Sequence, residues 1–269
     1  MYKLSYKFQP TDDRDYKIHS VITDVSDFNN LKVSNTITTK TNVTVTKSTV
    51  STSFTVSVLP NILDQGDLND CVANAFYYSV MSQTNNGVPL SRLFVYANAR
   101  CIEFTPLNQD DGCSIRAMCS ALLKYGVCKE DIYPYTITNG KDLPPLNAYY
   151  NTKKFRSFTY TFIKQDLITI KSALKLYNSP IIFGIMVYPS FMTDTVAKTG
   201  IIPMPNTKTE TSLGGHCVCL VGYNDTTQMF LCGNSWGKEW GSKGYFYLPY
   251  AYIVDPILAA DFCVTKFVY

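Results

Sequence analysis

Histidine is scarce in this chain, with two in 269 residues, so any chemistry that needs an imidazole must draw on His19 or His216. There is no apolar run of roughly 18 residues, which excludes a transmembrane helix. No C-x-x-C pair occurs, and the one tight group of soft ligands is His216, Cys217 and Cys219. On a strand, His216 would face one way and the two cysteines the other, which argues against zinc; no metal and no cofactor are expected. Neither sign of charge is in excess. The 24 Lys and Arg against 21 Asp and Glu leave a formal +3, too little to mark nucleic acid or a membrane as partner. The first residues lack the apolar core of a secretory signal, so an intracellular or virion-associated setting is favoured.

The remaining composition is that of an ordinary globular protein, 46% hydrophobic with a mean hydropathy of −0.04. Its length suits one large domain or two lobes around a buried interface. Nine cysteines are an odd count, and without a signal segment they read as mostly free, buried thiols.

Residues 1–60 differ from the rest and form an N-terminal extension; residues 61–269 form the main domain. Within the extension, 34–58 is rich in Ser, Thr and Val, and the alternation over Asn42 to Thr46 reads as an edge strand or a linker. No helical periodicity is sustained there. The extension either wraps the domain and adds a strand, the favoured reading, or lies across a cleft as a strand-like inhibitor.

A helix is expected from Asp70, a good N-cap, with Val72, Ala75, Phe76 and Val80 on one face and Asn85-Asn86-Gly87 as its end. Two more are expected from Ser91 to Arg100 and from Ser114 to Tyr125, the latter stopped by Gly126. The second half offers a helix over 166–177 and strands over 180–188, 215–223, 228–233 and 244–248, the last closing the set. Helices first and strands later make an α+β arrangement.

Three segments carry chemistry. Cys71 sits in the first turn of a helix, where free N–H groups and the helix dipole favour the thiolate. His216 follows Gly214-Gly215 at the start of an apolar strand. Asn234, in Gly233-Asn234-Ser235-Trp236-Gly237, ends a strand; its amide can hold an imidazole, and Trp236 can cover that hydrogen bond.

Together these segments resemble the papain family of cysteine peptidases, over about residues 60–250. Gln65-Gly66 ahead of Cys71 is similar to the family's oxyanion glutamine and nucleophile. Gly215-His216 is similar to its histidine segment, and Asn234-Ser235-Trp236-Gly237 with Trp240-Gly241 to its Asn-Ser-Trp-Gly block. The resemblance implies a two-lobed fold, with a helical lobe carrying Cys71, an antiparallel β-rich lobe carrying His216 and Asn234, and a cleft between them. It further implies a protein or peptide substrate and catalysis by Cys71, His216, Asn234 and Gln65. Gly112, Cys113, Gly215 and Trp236 would bind substrate, with Cys113 standing where a second glycine is usual. Leu68 replaces a family cysteine that is normally disulfide-bonded, and Val72 a tryptophan, a pattern that resembles the disulfide-poor microbial and viral branch. Another acyl-transfer enzyme on this fold, or a catalytically silent binding or virion-structural protein, would share these residues.

Overall fold

The computed structural model describes residues 2–9, 52–155 and 158–267. His19 and the alternating stretch Asn42 to Thr46 lie outside the described residues.

Helix α1 (Cys71–Gln83) is buried on nearly every side, which accounts for apolar residues around its whole circumference rather than along one stripe. It ends at Thr84, beyond which Asn85 and Asn86 both take positive φ. Helix α2 (Arg92–Ile102) is capped by the Ser91 hydroxyl, which accepts from the Phe94 N–H. Helix α3 (Ile115–Tyr125) begins in the same way at Ser114 and stops at Gly126, whose φ of 72° suits glycine. The short α4 (Leu146–Asn151) follows. Helix α5 (Leu167–Tyr177) is capped by Asp166 and ends at left-handed Asn178.

Among the described residues, seven strands form one antiparallel sheet: β1 (Ser53–Thr55), β2 (Phe158–Phe162), β3 (Ile181–Val187), β4 (Gly214–Asn224), β5 (Met229–Gly233), β6 (Tyr245–Pro249) and β7 (Ala259–Phe267). Their order is β2-β7-β3-β4-β5-β6. Strand β1 pairs with the far end of β4, continuing the line of β3. Helix α1 packs on β4 and β7, so one apolar core runs from the helices into the sheet. Short helices α6 (Asp194–Thr199) and α7 (Tyr250–Val254) complete the sheet side. This is the α+β, helix-lobe and strand-lobe fold expected. None of the nine cysteines is in a disulfide, and eight are buried.

The structure adds strand β2, absent from the sequence reading, and corrects that reading elsewhere. The strands do not close with 244–248, because β7 follows and becomes a central member of the sheet. Its sequence, AADFCVTKF, lacks clean alternation because most of it is covered on both faces. Asp70 occupies the N-cap position of α1, yet its carboxylate caps nothing. It turns instead into the core, where Asn74 and Tyr135 donate to it.

Candidate active site

The start of α1 and the start of β4 meet at the cleft. Cys71 is the first residue of α1 and is fully buried. The backbone N–H of Cys217, the residue after His216, points at its sulfur, which joins nucleophile and histidine strand directly. His216 lies in β4, opposite Ile185 of β3, and is also fully buried.

The imidazole is held from one side. Its Nε2 lies 2.7 Å from Asn234 Oδ1, and that oxygen also accepts from the Ser235 N–H at 2.8 Å. The second contact fixes which end of the amide faces the ring, because an N–H needs an acceptor. Nε2 therefore carries the proton and Nδ1 is left with its lone pair free. Nδ1 is buried and unpartnered, and no hydrogen bond joins it to Cys71. The Trp236 ring stacks on the imidazole at 4.6 Å and closes the Asn234 side to water.

Gln65 reaches the site because two loops are stitched together. Its N–H donates to Ser235 O, Gly237 N–H donates to Leu63 O, and Asp64 bridges to Trp236. The side chain follows: Ser235 Oγ donates to Gln65 Oε1 at 2.6 Å, and Gln65 Nε2 donates to Leu68 O at 2.9 Å. Thus Cys71, His216, Asn234 and Gln65 converge, although they are spread over most of the chain.

Behind the nucleophile lies a buried polar group that sequence reading did not find. Asp70 Oδ1 accepts from Tyr135 Oη and Asn74 Nδ2, while Arg92 donates to Asn74 Oδ1 at 2.6 Å and lies 3.6 Å from the Tyr135 ring centre. Burial pushes the Asp70 carboxyl up to about 7, against the opposing pull of Arg92. Its one sequence signal was the charged residue beside Cys71.

The cleft is filled. Residues 2–9 run through it as an extended strap. Tyr6 N–H donates to Gly215 O at 2.9 Å, and Ser5 Oγ donates to Asn69 O while lying within reach of the Cys71 sulfur. Side chains at Gly112 or Gly215 would overlap the Ser5 or Tyr6 backbone, so both glycines are needed for this approach. Tyr2 stacks on Trp236 at 4.3 Å, and farther along Arg116 donates to Gln9 Oε1 while Gln9 donates to Glu103. Cys113 is buried beside Gly112 and close enough to Cys71 for their charges to couple. Gly112, Gly215 and Trp236 therefore line the occupied groove.

Burial under the strap sets the ionisation of the pair. Desolvation pushes the Cys71 thiol up to about 12, aided by neighbouring Asp70 and opposed by the Cys217 amide and Ser5. It also brings the His216 imidazole down to about 4, opposed by Asn234. Both groups are neutral in the strapped state. Among the described residues, no group of His, Cys, Asp and Glu is arranged to hold a metal.

Comparison with known proteins places the chain in a family. Residues 54–253 match the family model described as papain family cysteine protease, and the chain belongs to that family. It is 39% identical over 217 residues to an uncharacterised peptidase C1-like protein of Acanthamoeba polyphaga mimivirus, an alignment covering 76% of this chain and 69% of that one. Mouse pro-cathepsin H is 29% identical over 130 residues, covering 46% of this chain and 36% of the mouse protein. The crystal structure of xylellain, a cysteine protease from Xylella fastidiosa, superposes with a TM-score of 0.82 at 29% identity, covering 99% of this chain and 96% of that one. The chain is thus a papain-like cysteine peptidase with viral and bacterial relatives.

Proposed function

We propose that the protein hydrolyses peptide bonds through Cys71 and His216, and that residues 2–9, part of an N-terminal extension over 1–60, keep it latent. The observation that carries the chemistry is the one-sided anchoring of His216: Nε2 is bound to Asn234 while Nδ1 remains buried, unpartnered and on the strand that contacts the Cys71 sulfur.

When the strap leaves, water and substrate reach the pair. The thiol proton passes to Nδ1, giving a thiolate at the helix start and an imidazolium held by Asn234. The thiolate attacks the peptide carbonyl carbon and forms a C–S bond. The developing oxyanion is met by the Cys71 backbone N–H and by Gln65 Nε2, which turns from Leu68 O. Collapse breaks the C–N bond as His216 gives its proton to the departing amine. Water, deprotonated by the same imidazole, then hydrolyses the thioester and restores the thiol. Gly112, Cys113, Gly215 and Trp236 would bind the substrate, the two glycines by admitting its backbone as they admit the strap's.

Latency follows from the same contacts. The strap excludes solvent, and a buried neutral thiol is a weak nucleophile. The test is hydrolysis of a mixed fluorogenic peptide library by Tyr6→Ala protein and by Tyr6→Ala, Cys71→Ala protein. Turnover by the first and none by the second is expected. Equal rates would overturn the assignment of Cys71.

A further inference from the structure

Tyr135 stands between two parts of the reacting centre. Its hydroxyl lies 2.9 Å from Gln65 O and 2.8 Å from Oδ1 of Asp70, the residue before the nucleophile. The residue is fixed from two further sides. Its N–H donates to Glu130 Oε1 at 2.8 Å, and its ring lies under the Arg92 guanidinium at 3.6 Å. A phenol has one hydrogen to donate. Two acceptors therefore compete for it, and whether Asp70 holds a proton decides between them.

While Asp70 is ionised, the phenol donates to Oδ1, and Gln65 O keeps only the long 3.3 Å bond from the Leu68 N–H. That state also leaves Asp70 Oδ2 charged, buried and without a donor, which is costly. Protonated on Oδ1, Asp70 donates to the phenol oxygen and still accepts from Asn74 Nδ2 at 2.9 Å, so the phenol can donate to Gln65 O. On Oδ2 the proton would have no acceptor. The groups that face Asp70 are divided: Arg92 of α2 favours the ionised form, whereas Asp110, Cys71 and Cys113 oppose it with any charge they carry. Burial joins the second side, and the carboxyl titrates at about 7.

From this we infer that Tyr135 is a positioning residue for the peptidase reaction: it ties the Gln65 segment to the residue before Cys71, and it does so only while Asp70 carries a proton. The inference rests on the peptidase reading above. Tyr135 acts through the Gln65 backbone. The Gln65 side chain must leave Leu68 O to meet the oxyanion. During that turn the bonds at its own backbone, from its N–H to Ser235 O and from Tyr135 to its carbonyl, keep it in register with the Cys71 N–H, the second oxyanion donor.

The test uses full-length Tyr6→Ala protein and a fluorogenic peptide, taken from the mixed library, that it turns over. Adding Tyr135→Phe keeps the ring on Arg92 and removes only the hydroxyl; kcat should fall about tenfold, the scale of one hydrogen bond, with KM little changed. In a Gln65→Ala background the same change should lower kcat no further, because residues that act through one another are not additive. The kcat of the Tyr6→Ala protein should fall as pH rises through about 7. Asp70→Asn should remove that fall by taking away the titrating proton, and Gln65→Ala by taking away the side chain that is positioned. Iodoacetamide labelling of Cys71 should be unchanged by Tyr135→Phe, which separates a displaced oxyanion donor from a damaged nucleophile. Additive losses from Tyr135→Phe and Gln65→Ala, altered labelling, or a fall through pH 7 that persists in the Gln65→Ala protein would overturn this inference and leave the peptidase reading standing. Absence of turnover from every peptide would overturn the peptidase reading and the inference with it.

Discussion

If the strap holds the enzyme closed, weakening one of its contacts must expose the nucleophile by a calculable amount. Tyr6 is 5% exposed, so Tyr6→Ala removes nearly a whole buried aromatic side chain from the closed state. In the open state that ring is in water, so the substitution costs the closed state about 2–3 kcal/mol more than the open one. At about 1.4 kcal/mol per factor of ten, the open fraction rises about 30- to 150-fold. The loss of the hydrogen bond to Asp261 adds to this. Iodoacetamide labelling of Cys71 at pH 7 measures the open fraction, followed by intact mass with Cys71→Ala as the blank. Gly184→Ala should raise labelling too, because its methyl group evicts the ring from the other side. Identical labelling rates in wild type and both variants would refute the latch.

Three further outcomes are expected. The closed-state imidazole of His216 sits at about 4, below its ordinary value, so closure is favoured above pH 6.5 and loses that advantage as pH falls towards 4; acid should loosen the strap, read as a change in tryptophan fluorescence when Tyr2 leaves Trp236. The Asp70 carboxyl is raised to about 7, so its contribution to stability is complete below the unfolded value near 4 and is lost as pH rises through 7; wild-type Tm should fall over that window, and Asp70→Asn should flatten the slope in thermal melts. Gln65→Ala in the Tyr6→Ala background should lower kcat by about 10²-fold with little change in KM, and an unchanged kcat would remove Gln65 from the oxyanion site.

Much of the fold was legible because its signals are local. Ser91, Ser114 and Asp166 each announce a helix through a side chain that caps it, and Gly126 and Asn178 each stop one. Strands β3 to β6 fall within a residue or two of their expected spans. Strand β7 was missed because burial on both faces erases alternation, and β2, with its alternating aromatics Phe158, Tyr160 and Phe162, was overlooked beside it. Asp70 was misread because N-cap preference is a weak local term, overridden here by donors from Tyr135 and Asn74. The convergence of Cys71, His216, Asn234 and Gln65 was legible through motif chemistry, whereas Asp261 was not, because nothing in a sequence pairs it with Tyr6 across the whole chain. Within the extension, Ser53–Thr55 pairs with β4 and the Tyr6 N–H donates to Gly215 O, contacts that no local pattern in those segments announces.

That the plug and the sheet strand β1 are joined through 10–51 has a kinetic consequence. A plug carried on its own polypeptide has a fixed local concentration, commonly on the order of millimolar for a short tether, whatever the concentration of protein in the tube. If residues 2–9 are the latch proposed above, dilution alone cannot wake the enzyme, and release from the groove is a unimolecular event. A single scission anywhere in that joining stretch changes the reaction order: the severed piece becomes an ordinary dissociable ligand, lost progressively as the sample is diluted.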